Sequence, residues 1–179
     1  MRRVWSFDEG RFGLKLWFRK RWCPRGVRPP WVVEDRYEWR WLYAAVEPVS
    51  GASFFLLLPS VDTACTQAFA DACGRHVAGE RVGVVLDGSG SHGAKTVRWP
   101  EHVVRLPLPP YSPELNPAEM IFRHLRAALA NQIFADLDAL DAALTEALRR
   151  FWEEPGRLRR LTAFPWWLAG TASITKESA

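Results

Sequence analysis

The amino-acid sequence predicts a mixed α/β domain built on one central sheet, and three observations carry that prediction. Residues 82–87 (VGVVLD) form a continuous apolar run ending in an acid, the character of a strand buried on both faces. Residues 3–8, 39–46 and 52–58 are rich in aromatic and β-branched side chains and are bounded by turn formers. The last third is helical, with Leu137, Leu140, Leu144, Leu148 and Phe151 at steps of three and four, which makes one apolar stripe. Strands and helices alternating in this way imply helices packed on a sheet.

In chain order, residues 3–8 (RVWSFD) read as a first strand that Asp8 ends. Residues 13–30 mix Arg, Trp, Pro and Gly and read as an irregular basic loop or hairpin. The turn Glu47-Pro48-Val49-Ser50-Gly51 separates two strands, 39–46 and 52–58. Asp62 is placed to cap a helix reaching about Val77. After the buried strand, a short helix over 91–99 and a strand over 103–108 are expected. Asn116-Pro117 signals a helix start, with a capping side chain and then proline at the first helical position. The helix over 137–151 carries Asp136, Asp138 and Asp141 at its start and Arg149 and Arg150 at its end, as the helix dipole favours.

A length of 179 residues suits one domain and buries enough surface to fold without metal staples or disulfides. The 48% apolar and 25% charged fractions exclude a disordered or collagen-like chain. Apolar runs such as 54–58 are too short to span a bilayer, and Asp8 and Glu9 interrupt any secretory leader, so a cytoplasmic protein is expected. Three cysteines without C-x-x-C spacing argue against a disulfide framework or a zinc site. Charge is segregated: residues 1–40 carry eleven Lys/Arg against five Asp/Glu, and 149–160 carry five against two, while 41–148 are net acidic. Basic ends around an acidic middle suit a polyanion partner. Arg19, Lys20, Arg21, Arg25 and Arg28, with Arg157, Arg159 and Arg160, are the expected phosphate contacts, which would make binding sequence-tolerant and salt-dependent.

The chemistry candidates are acids at element ends. Asp8 and Asp87 end strands, and Glu119 lies in the first turn of the helix opened by Asn116-Pro117. In an open α/β sheet, groups beyond adjacent strand ends converge on one crevice. Three converging carboxylates repel one another unless divalent cations neutralise them, and hard oxygen ligands suit Mg²⁺ or Mn²⁺. Each acid also has a plain structural reading. Aspartate at a strand end is common in turns. Asn116-x-x-Glu119 has capping-box spacing with Arg123 four residues on, so Glu119 by itself reads first as a cap. His92 follows Asp87 closely enough to approach a substrate phosphate, whereas His76, His102 and His124 lack metal-ligand spacing.

Four stretches carry a family resemblance. VWSFDEGRFGLK (4–15), RWCPRGVRPP (21–30), VVLDGSGSHGAK (84–95) and LPLPPYSPELNPAEMIFRHLR (106–126) resemble, in order, motifs of the DDE transposase domain in the bacterial insertion-sequence branch of the mariner superfamily. The Pro-Pro-Tyr-Ser-Pro-Glu-Leu-Asn-Pro-x-Glu core is the most specific of them. Phe122 and Arg126 stand where that family usually has Trp and Lys.

The resemblance implies a ribonuclease-H-like fold, with the catalytic and metal-binding triad on Asp8, Asp87 and Glu119. It implies two Mg²⁺ or Mn²⁺ ions and attack by water, then by a freed 3′-hydroxyl, on phosphodiesters of transposon ends and target DNA. On this reading residues 1–155 form the catalytic domain and 156–179 a C-terminal tail. The helix-turn-helix region of the family is expected to be absent, leaving room for an upstream DNA-binding partner chain and a homodimer. The alternative is a non-catalytic nucleic-acid-binding or interaction module on the same scaffold.

Overall fold

The computed structural model of the chain describes residues 3–20, 22–27, 33–77, 79–88 and 97–176. Its strands are β1 (Arg3–Gly13), β2 (Trp39–Glu47), β3 (Ala52–Leu58), β4 (Val82–Leu86) and β5 (Val103–Pro107). Helix α1 (Thr63–His76) precedes β4, and a 3-10 turn (Pro113–Leu115) follows β5. The chain then forms α2 (Glu119–Leu129), α3 (Leu137–Glu153), α4 (Pro155–Thr162) and α5 (Pro165–Lys176). The strands form one sheet in the order β3-β2-β1-β4-β5. Pairing is antiparallel from β3 to β1 and parallel from β1 to β5. The central strand β1 is therefore where the two kinds of ladder meet.

Side chains alternate across β1 with period two, and this divides the core. Trp5 and Phe7 join Tyr43, Ala45 and Phe69 on the face covered by α1, where Phe7 stacks on Phe69 at 4.5 Å. Phe12 joins Leu42, Ala44, Ile121, Phe122, Leu144 and Leu148 on the face covered by α2 and α3. Ser6, Asp8 and Gly10 share the parity of Phe12, so Asp8 faces the helix that carries Glu119. The apolar stripe of α3 is buried through Leu140, Leu144, Leu148 and Phe151, and Asp136 caps it by accepting from the Ala139 N–H at 2.8 Å. Asp62 caps α1 by accepting from the Cys65 N–H, also at 2.8 Å.

Three expectations need correction. The first strand does not end at Asp8, because Glu9 to Gly13 continue it against β2 up to Gly13 opposite Trp39. Gly10 and Gly13 look like strand breakers, yet each makes room for an aromatic ring: a Cβ on Gly10 would meet the Phe122 ring, and one on Gly13 the Trp39 ring. The helix after Asn116 begins at Glu119 with Ala118 at the cap position, since Asn116 is turned to a different use described below. Of the helix expected over 91–99, residues 97–99 are non-helical and 91–96 lie outside the described residues. Within the expected tail, Leu158 of α4 is buried in the α2–α3 core, and Trp167 of α5 is also buried. Among the described residues, no helix is long and apolar enough to cross a membrane.

Candidate active site

The site begins with the register of β1 against β4. Ser6 opposite Val85 is the last pair of the parallel ladder, and β4 itself ends one residue on, at Leu86. Continuing that register by two residues sets Asp8 beside Asp87, just where β4 stops and the backbone is released from the sheet. Asp8 thus holds a mid-strand position, secured on its other side by pairing with Ala44. Asp87 projects from a strand end, as its position in VVLD predicts.

Glu119 is delivered to the same place by a buried polar clamp. The Asn116 side chain accepts from the Ser6 hydroxyl and from the Ala118 N–H (3.2 Å), and donates to the Phe7 carbonyl at 3.0 Å. The Ala118 N–H also donates to Ser6 Oγ at 3.1 Å. Asn116 and Ser6 are both buried, so these bonds form away from water, where leaving a partner unmade is costly. The clamp locks the entry of α2 onto the two β1 residues that precede Asp8. Replacing Asn116 by Ala should therefore cost about 1–3 kcal/mol in urea unfolding. The cost should be strongly non-additive with Ser6→Ala, because both changes break one network.

The capping-box reading of Glu119 does not hold. The Asn116 N–H donates to the Pro113 carbonyl at 2.9 Å, leaving no bond for a Glu119 carboxylate to make there. Among the described residues, Glu119 forms no ion pair with Arg123 either. Glu119 is instead the charged group that acts most strongly on Asp8. Burial, then the Glu119 carboxylate, then those of Glu9 and Asp87 push the Asp8 carboxyl up to about 8, against a single opposing hydrogen bond from the Glu9 N–H at 2.8 Å.

Asp8, Asp87 and Glu119 line one cleft of about 500 Å³. Its other walls are Gly88, the 108–113 loop and Asn116, and no Lys or Arg is among the described residues lining it. The carboxylates share the cleft without forming a closed ligand sphere: among the described residues, no three His, Cys, Asp or Glu side chains stand close enough to hold one ion as they are.

A family model described as DDE superfamily endonuclease matches residues 3–141, the stretch that builds the sheet, the cleft and all three acids. The chain belongs to the DDE superfamily endonucleases. A relative of the family member, "Uncharacterized protein y4pE/y4sA" of Sinorhizobium fredii (strain NBRC 101917 / NGR234), is 31% identical over 130 residues, covering 72% of this chain and 96% of that protein. Among solved structures, a pre-cleavage Mos1 transpososome matches with a TM-score of 0.65 at 21% identity, covering 90% of this chain and 55% of that one. The Mos1 transposase paired-end complex with left transposon end matches at 0.62 and 23%, again over 90% and 55%. The chain thus spans about half the length of the solved structures it matches, and shares their ribonuclease-H-like fold.

The basic residues expected to meet phosphate fall into two separate groups. Arg19, Lys20 and Arg25 are exposed on the arm that leaves β1 at the end toward which β4 also points. Asn131 fixes the base of the arm, accepting from the Arg19 N–H at 3.0 Å and donating to the Arg19 carbonyl at 3.1 Å. Arg157, Arg159 and Arg160 lie on α4, whose Pro155 and Arg159 pack against Gly51 in the β2–β3 turn. Arg3, at the start of β1, donates to Ser50 of that turn at 3.0 Å, so this group sits at the opposite end of the sheet from the cleft. Arg157 is moreover paired with Glu154 at 2.8 Å. Arg21, Arg28 and His92 lie outside the described residues. Sequence reasoning overlooked Ser6 and Gly10; a small polar and a glycine flanking Asp8 with its own parity were the available signal.

Proposed function

We propose that the chain is the catalytic domain of a DNA transposase, performing divalent-metal-dependent strand cleavage and strand transfer at transposon ends. The observation that carries the reading is the one cleft that Asp8, Asp87 and Glu119 line together, where the half-buried Asp8 carboxyl is crowded by the other two acids. A protein that folds around such repulsion, with no basic side chain among the described lining residues, has the donor set of a cation site. The family membership and the Mos1 likeness support the same reading, and Mos1 paired-end complexes are known with Mn and with Mg.

The residues fit such ions. Asp8, Asp87 and Glu119 offer only hard carboxylate oxygens, which suit Mg²⁺ or Mn²⁺. A bound pair of these ions would supply charge neutralisation at the phosphodiester and acidify the attacking water or 3′-hydroxyl. Asp8 Oδ1 accepts from the Glu9 N–H, which leaves Oδ2 to carry the proton in the metal-free state and to release it on loading. The Asn116–Ser6 clamp orients the first turn of α2, and with it Glu119. Arg19, Lys20 and Arg25 would hold DNA phosphates beside the cleft, with Arg21, Arg28 and His92 as further contacts. Arg157, Arg159 and Arg160 would meet only DNA that reaches the far end of the sheet. Sequence-selective contacts to transposon ends would come from an upstream DNA-binding chain, and a homodimer would bring two ends together.

The test is direct. Supercoiled plasmid incubated with the chain and Mn²⁺ or Mg²⁺ is expected to become nicked, and to stay intact when EDTA is present. Equal plasmid survival in both conditions would contradict the catalytic reading.

A further inference from the structure

Tyr111 sits in the loop that carries the chain from β5 toward α2, and folding gives no reason for its conformation. Its φ is +58°, in the left-handed region that bulky side chains avoid because Cβ crowds the backbone. Its side chain is 100% exposed, so the ring buries nothing in return. Glycine would remove the strain and lose no packing. The loop is stiff all the same. Pro109 and Pro110 precede Tyr111 and Pro113 follows it, and each proline fixes its own φ. The Leu108 N–H donates to the Leu86 carbonyl at 2.8 Å, tying the start of the loop to the residue before Asp87. Tyr111 lines the same cleft as Asp8, Asp87 and Glu119. A rigid loop thus holds an unpacked aromatic ring at the cleft that the three acids share.

We propose that Tyr111 is a stacking platform for a nucleobase of the DNA strand that enters the cleft of Asp8, Asp87 and Glu119. The inference rests on the DNA-cleaving function proposed above and names the residue that grips the strand there. No Lys or Arg is among the described residues lining the cleft, so apart from cations held by the acids, the side chains there grip a strand only through uncharged groups. An aromatic face meets that need, because every base presents a π surface whatever the sequence. Stacking on one ring is worth about tenfold to a hundredfold in affinity. Strain held at an exposed residue beside a site is the pattern expected when a side chain is set in place for a ligand.

The experiment compares wild type with Tyr111→Phe and Tyr111→Gly, using a single-stranded DNA oligonucleotide that carries 2-aminopurine and, separately, supercoiled plasmid with Mn²⁺. Tyr111→Phe keeps the ring and should retain affinity and the fluorescence quench of the stacked base. Tyr111→Gly relieves the backbone, so it should unfold at the same or a higher urea concentration. It should nevertheless bind about tenfold to a hundredfold more weakly and lose the quench. If wild type nicks plasmid while Tyr111→Gly binds and quenches as wild type does, the stacking role is wrong and the nuclease reading stands. If wild type neither nicks plasmid nor binds the oligonucleotide, both fall together.

Discussion

Asp8→Asn is expected to abolish metal-dependent strand cleavage and, in the same protein without metal, to raise stability at alkaline pH. Removing a residue that merely orients a metal ligand costs about 10–100-fold, so removing a ligand itself should cost more than about 100-fold. The stability effect follows from the proton. Burial, Glu119, Glu9 and Asp87 raise the Asp8 carboxyl from 3.8 to about 8 in the folded chain. Between those values the folded state keeps a proton that the unfolded state has released. Stability therefore falls as pH rises through that window and levels off above it. Asparagine is neutral at every pH and carries no such dependence. Urea unfolding in EDTA at about pH 5 and about pH 9 should show wild type losing stability between the two while Asp8→Asn loses less. A wild-type profile that rises over that range would contradict the electrostatic account of the cleft.

Gly10→Ala should damage both stability and cleavage although Gly10 touches no substrate. A Cβ there would stand 2.5 Å from Cδ1 of Phe122 and 2.8 Å from the next ring atoms. Phe122 is buried in the α2–α3 core, so its ring cannot swing out to solvent. The helix has to move instead, and Glu119 lies one turn before Phe122 on it. Overpacking of this kind costs about 1–3 kcal/mol. Combining Gly10→Ala with Phe122→Leu frees space at the same contact and should recover part of both losses. Recovery of neither would mean that Gly10 matters for some reason other than seating α2.

Local pattern made much of this fold legible. The α3 stripe, the Asp62 cap and the apolar β4 run each declare themselves within a few residues, because a helix face or a buried strand is a short-range property. Asp87 and Glu119 were legible as acids at the start or end of elements. What local pattern could not show is why β1 continues past Asp8. Gly10 and Gly13 sit within the strand because they make room for the rings of Phe122 and Trp39, which are supplied from elsewhere in the chain. Asn116 was misread for a related reason. Its residue type suits a helix cap, but its partners Ser6 and Phe7 come from β1, and only the packed fold brings them together. The placement of the basic segments was not legible either, since charge along the chain says nothing about which end of the sheet a segment reaches. The α4 arginines end up opposite the cleft.

Glu119→Gln is the measurement that bears most directly on the central claim that the three acids form a metal-dependent cleavage site. Glutamine keeps the size and helix propensity of glutamate and would serve equally well in a capping box, but it gives up the negative charge. If Glu119 is a ligand, the variant should stay folded, with metal-free stability unchanged or slightly higher because a like charge has left the neighbourhood of Asp8. Its Mn²⁺-dependent nicking of supercoiled plasmid should fall by more than about 100-fold. A folded Glu119→Gln protein that nicks plasmid at the wild-type rate would remove Glu119 from the site and contradict the account.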